Sequence, residues 1–181
     1  MRPSAFPARR RGATDESPSG AAELKRTAAR PGSWPLWLVV AAVAVFLIDR
    51  LTKFWVVHSL GLGQELWPGA PVHIHYIENS GAAFSILPNL DWLFLLVALL
   101  VVAAAIWFWR RLAAEPWWVQ AAVGMVVGGA VANGIDRITQ GYVVDFIQLP
   151  HWPVFNVADS GITVGMVLVV LRFLLEGRRD G

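Results

Sequence analysis

The sequence predicts an all-α membrane protein: four transmembrane helices, with a small extracytoplasmic β-sheet between helices 1 and 2. Three observations point there. The chain is 56% apolar and only 15% charged, against roughly 45–50% and 25% in soluble domains. Its charges are segregated into short stretches. Four apolar segments approach the roughly 20 residues that a helix needs to cross a bilayer.

Residues 1–33 are rich in Arg, Ala, Pro, Gly and Ser without an apolar period, and read as a disordered basic cytoplasmic tail. A cleaved secretory signal is the competing reading. The basic region is too long for one, and the following apolar run continues through Leu36–Ile48 to Leu51, Phe54, Trp55, Val56 and Val57 without a small-residue cleavage site. The first membrane helix is therefore expected here. The others are expected at about Trp92–Trp109, Trp117–Ile135 and Gly161–Leu175, in a membrane domain spanning 34–176 and followed by a short cytoplasmic tail, 177–181. Trp34, Trp37, Trp92, Trp109, Trp117 and Trp118 mark segment ends, where amphipathic rings favour the headgroup level.

Lys and Arg set the orientation. Seven precede the first segment, Arg110 and Arg111 separate the second from the third, and Arg178 and Arg179 follow the fourth. The stretch His58–Asp91 has none, and the last connection has only Arg137. The positive-inside rule places both termini in the cytoplasm and the other two loops outside. In the first outer loop, Val72-His-Ile-His-Tyr-Ile77 alternates apolar and polar residues as a half-buried strand does. In the second, Pro150 and Pro153 block a continuous helix. Small residues at four-residue spacing (Gly124, Gly128, Ala132; Gly161, Gly165) suit close packing of membrane helices better than a substrate groove.

The absence of cysteine excludes disulfides, thiolate catalysis and Cys-ligated zinc. His73 and His75 share one strand face, but polar strand positions explain them better than a metal does. Polar groups at membrane helices are costly, and here they gather at the outer ends. Asp49 and Lys53 lie four apart on one helical face, in the favourable order for an ion pair. Asp136 and Arg137 are expected to follow the third helix directly. Asp159 falls where the fourth helix should begin, which alone makes it an ordinary helix-start carboxylate. Asp145, flanked by Val143, Val144, Phe146 and Ile147, would be desolvated and needs a partner or a proton. If the third and fourth helices pack side by side, Asp145 and Asp159 meet at one outer corner. Two close carboxylates share a proton, as aspartic peptidases require. Spacing alone leaves proton transport and packing open as well.

At these same residues the sequence resembles lipoprotein signal peptidase, or signal peptidase II, across about 37–175. Asp49-Arg-Leu-Thr-Lys53 looks like the family's Asp-x-x-x-Lys, and Asn79-Ser-Gly-Ala-Ala-Phe84 like its Asn-x-Gly-x-Ala-Phe. Gly128-Gly129 with Asn133-Gly-Ile-Asp-Arg137 looks like its Gly-rich Asn-x-x-Asp-Arg helix end. Gly141-Tyr-Val-Val-Asp-Phe146 and Phe155-Asn-Val-Ala-Asp159 look like the segments carrying its two catalytic aspartates. Two departures stand out: Ala132 replaces the family's usual Gly, and the stretch between the aspartates is shorter than in some members.

The resemblance implies an aspartic endopeptidase that removes signal peptides from prolipoproteins, cutting before a cysteine that already carries diacylglyceryl. It implies Asp145 and Asp159 as catalytic residues. Asn79, Asn133, Arg137 and Asn156 would position substrate or dyad, and Asp49, Lys53 and Asp136 would support the site. The implied partners are lipidated precursors and membrane lipid, with no nucleic acid, metal or organic cofactor. The rival classes are a small proton-coupled transporter, which would place acids at several depths, and a membrane scaffold whose acids only pack.

Overall fold

The computed structural model describes residues 34–81 and 91–177. The N-terminal tail, the end of the Asn79–Phe84 motif and the last four residues lie outside them. Helix α1 spans Leu36–Ser59, and strands β1 (Glu65–Leu66) and β2 (His73–Asn79) follow. Helix α2 (Asp91–Trp107), a short α3 (Trp109–Ala114) and α4 (Trp117–Gln140) come next. Strand β3 (Val143–Gln148) and helix α5 (Val157–Gly177) complete the chain.

The apolar segments appear as α1, α2, α4 and α5, with changed limits. The second stops at Trp107, and Phe108 (φ −94°, ψ 10°) breaks it from α3. The third was expected to end at Ile135 but continues through Asp136 and Arg137 to Gln140. Asp136 tolerates this interior position because cations from α1 pair with it. The helix stops at Gly141, whose left-handed φ of 79° lets its N–H close on the Arg137 carbonyl at 3.2 Å. The fourth begins at Val157, four residues before the expected Gly161.

Helix α4 is the centre of the bundle, packed on α1, α2 and α5. Its small residues allow this. A Cβ on Gly124 or Gly128 would sit 2.3 Å from the Leu38 or Ala42 carbonyl oxygen of α1. One on Gly129 would sit 2.4 Å from the Ala158 oxygen of α5. The small-residue stripe is thus a packing device. Helix α2 rests on α4 without closing against α5, leaving a cleft between them.

Two helices, Trp117–Gln140 and Val157–Leu175, are long and apolar enough to cross a membrane by length and composition. Helix α2 is shorter, and α1 carries Asp49, Arg50 and Lys53 in its second half. Large apolar side chains point outward all along the helices: Leu51, Leu99 and Phe173 are each more than 60% exposed. An aqueous surface would not favour so continuous an apolar cover.

The sheet has three antiparallel strands in the order β1-β2-β3. It was expected wholly between the first two helices, yet its third strand comes from the last connection. The run Val143-Val-Asp-Phe-Ile-Gln suits a strand, but its partner β2 lies about seventy positions earlier. Val144 and Phe146 pack with Tyr76 of β2 against Val56 and Leu60 at the end of α1. This apolar plug seats the sheet on the bundle, over the polar end of the helices.

Candidate active site

Asp145 lies mid-strand on β3, opposite Ile77, and is buried. Both of its oxygens accept amide hydrogen bonds, from Asn79 Nδ2 at 2.8 Å and from Asn156 Nδ2 at 2.6 Å. Asn79 is itself held by the Gly81 N–H, which donates to its Oδ1 at 3.0 Å. Burial, and then the charge of Asp159, push the Asp145 carboxyl up to about 7.

Asp159 is placed by a reciprocal helix cap. Asn156 precedes the first residue of α5, and its Oδ1 accepts from the Asp159 N–H at 2.9 Å. The Asp159 carboxylate reaches back to the Asn156 N–H at 3.2 Å. Its other oxygen accepts from Asn133 Nδ2 at 2.7 Å. Asp159 is therefore an ordinary helix-start carboxylate and, at the same time, a wall of the cavity that Asp145 lines.

Behind the two aspartates lies an ionic cluster. Lys53 Nζ pairs with Asp49 Oδ2 and Asp136 Oδ2, each at 2.7 Å, and donates to Asn133 Oδ1 at 2.9 Å. Asp49 Oδ1 accepts from the Ala158 N–H at 2.8 Å, in the first turn of α5. Arg50 pairs with the remaining oxygen of Asp136. Asn133 joins the two clusters: its oxygen faces Lys53 and Asn156, so its amide must point at Asp159. Arg137 stacks over Phe94 of α2 at 4.6 Å and donates to the Asn133 carbonyl at 3.4 Å.

All nine residues singled out by sequence thus come to one end of the bundle. Arg50 was missed. The only available signal was a third charge in a helix already carrying a matched pair. Phe94 and Trp152, which also line the cavity, were not singled out by the sequence. His75 Nδ1 meets Gln148 Oε1 at 2.7 Å across the sheet, and His73 Nδ1 lies 3.3 Å from the Ala70 carbonyl. Among the described residues, no three His, Asp or Glu side chains gather as a metal site.

The cavity measures about 690 Å³ and opens between α2, α4 and α5 beneath the sheet. Its wall is mostly apolar (Phe94, Val97, Ala130, Ile162), with Asn79, Asn133, Arg137, Asp145 and Asp159 supplying polar groups. A mostly apolar wall with a few convergent polar groups is the usual make-up of a binding cavity.

A family model described as Signal peptidase (SPase) II matches residues 41–175. The chain belongs to the signal peptidase II family. It is 39% identical over 174 residues to the lipoprotein signal peptidase of Rhodococcus jostii, covering 92% of this chain and 85% of that one. It is 41% identical over 139 residues to that of Syntrophomonas wolfei, covering 75% and 91%. Two solved structures described as bacterial membrane enzymes share the fold. One has a TM-score of 0.73 at 28% identity, covering 80% of this chain and 91% of the other; the second has 0.68 at 30%, covering 76% and 92%. As a member of this family the protein is a membrane peptidase, and the family match spans all nine site residues.

Proposed function

We propose that the protein is an intramembrane aspartic endopeptidase that removes signal peptides from diacylglyceryl-modified prolipoproteins, cutting before the lipidated cysteine. The observation that carries this reading is that Asp145 and Asp159 line one cavity, each held by amide N–H groups. Amide N–H groups favour the charged carboxylate less than a contacting cation would, and burial and the neighbouring Asp159 charge outweigh them at Asp145, so the pair is able to share one proton. Asp159 sits at a helix N-terminus, whose N–H groups offset part of the cost of its charge. Asp145, pushed up to about 7, is half-protonated near neutral pH.

The chemistry then follows. Asp159 takes a proton from a water molecule as its oxygen attacks the scissile carbonyl carbon, and Asp145 donates a hydrogen bond to the carbonyl oxygen. The tetrahedral intermediate collapses when the proton passes to the leaving nitrogen and the C–N bond breaks. Asn79, Asn133 and Asn156 hold both carboxyls in place, and Arg137 borders the substrate path. Asp49, Lys53 and Asp136 brace the start of α5. Helices α1, α2, α4 and α5 each cross the membrane, with both termini cytoplasmic and the aspartates at the outer face. That placement suits a substrate arriving laterally, its lipid in the bilayer and its scissile bond near water.

Purified protein should cleave a diacylglyceryl-modified precursor before its cysteine. Asp145→Asn and Asp159→Asn should each lose at least about a thousandfold in turnover, the scale of losing a catalytic acid or base. A folded variant with near-normal turnover would remove that aspartate from the mechanism.

A further inference from the structure

A second cavity, of about 320 Å³, lies at the opposite end of the bundle, lined by α2, α4, α5 and the short α3. Its walls are apolar: Ala104, Ala105, Val123 and Val169 are among them. Its rim is not. Among the described residues, Arg111 and Arg172 stand there with one acid, Glu115. Glu115 is already engaged, accepting from Arg172 Nε at 3.2 Å and pairing with Nη2 at 3.1 Å. Arg110 adds a third cation beside the rim, over the Trp109 ring at 5.4 Å. The local balance is therefore cationic.

The same level carries a cluster of tryptophans. Trp34 stacks on Trp109 at 5.2 Å, and Trp37 meets Trp117 at 6.0 Å. Trp107 is 81% exposed. Indoles concentrate where hydrocarbon gives way to headgroups, so the Arg rim stands at phosphate depth while the cavity below it stands at acyl-chain depth. A signal peptide's apolar helix could also lie in an apolar cleft, but its basic N-terminal region would meet a cationic rim. The charge favours an anion with hydrocarbon attached.

We infer that this second cavity binds an anionic phospholipid from the leaflet opposite the aspartate pair. The acyl chain lies against Ala104, Ala105 and Val169, and the phosphate meets Arg111. Basic pockets between membrane helices recognise anionic headgroups in this way. Glu115 pairs with Arg172 and so does not neutralise Arg111. Neither Arg111 nor the cavity wall touches the aspartates, so occupancy is separable from cleavage.

The test uses the purified full-length protein in neutral detergent, with phosphatidylglycerol, phosphatidylcholine or inorganic phosphate added. Lipid retention is read by native mass spectrometry and stabilisation by thermal melting. Wild type should retain phosphatidylglycerol over phosphatidylcholine. Arg111→Gln should weaken that preference about fivefold, as expected for one arginine at a lipid surface. Ala105→Phe, which fills the cavity, should reduce retention of phosphatidylglycerol while leaving turnover unchanged. Equal retention of both lipids, or retention unmoved by either variant, would overturn the inference. So would equal stabilisation by inorganic phosphate, which needs no cavity. A raised KM for precursor in both variants with lipid retention unchanged would assign the cleft to substrate and also overturn it.

Discussion

Two pairs of carboxylates, all buried except the half-buried Asp159, share one end of this bundle, and they are held differently. Asp49 and Asp136 are matched by Lys53 and Arg50. Asp145 and Asp159 receive amide N–H groups from Asn79, Asn133 and Asn156. A cation at contact fixes a carboxylate in its charged form and makes it a strut. An amide N–H also favours the charged form, but less strongly, because it carries no net charge. The first pair therefore braces the helices, and the second is left able to gain and lose a proton.

The largest effects should separate the pairs by readout. Replacing either amide-held aspartate with Asn should remove turnover while the fold survives. Lys53→Ala should act mainly on stability, costing about 3–5 kcal/mol, because it leaves buried Asp49 without a cation and Asp136 with Arg50 alone. Melting temperature in detergent checks this. Replacing Asp49 and Lys53 together with Leu and Met should not restore wild-type stability. Asp136 would keep only Arg50, and the Ala158 N–H would lose its acceptor. Full recovery would mean that Asp49 and Lys53 form an isolated pair and that the wider cluster is irrelevant.

Asn156 serves both functions of the site, as helix cap and as Asp145 donor. Asn156→Ala should cost about 1 kcal/mol as a lost cap and about a hundredfold in turnover through misplaced carboxyls. Asn156→Asp should recover the cap more than the turnover. The smallest effect belongs to Arg50, which is partly exposed. Arg50→Gln should cost about 1 kcal/mol or less, with KM unchanged.

The pairs also differ in their response to pH. The folded-state value of Asp145, about 7, lies above its ordinary 3.8. Its contribution to stability is fully present below the ordinary value, declines as pH rises toward about 7, and is constant above that. Wild type should therefore lose more melting temperature between pH 5 and pH 8 than Asp145→Asn does. Equal losses would show that Asp145 does not titrate in that window.

Much of this was legible in the sequence because it is local. The apolar segments, the Asp49–Lys53 spacing and the strand alternation at His73–Ile77 need only neighbouring residues. What escaped depends on partners far along the chain. Helix α4 runs past Asp136 because Lys53 and Arg50, more than eighty positions earlier, meet its charge. Strand β3 exists as part of a sheet because β2 supplies its other edge. Arg50 hid beside a pair that looked complete, and its partner was invisible locally. Asp159 could be read as cap or as site, and its geometry makes it both.

The central claim is that the amide-held pair shares a proton, and direct titration of Asp145 tests it most closely. Infrared difference spectra or carbon NMR of isotope-labelled aspartate, assigned with Asp145→Asn, would follow its carboxyl. In wild type it should half-titrate near about 7. In Asp159→Asn it should fall, because a neighbouring charge is gone, yet stay above 3.8, because burial is the larger cause. An Asp145 that titrates near 3.8 in wild type, or one unmoved by Asp159→Asn, would contradict the account.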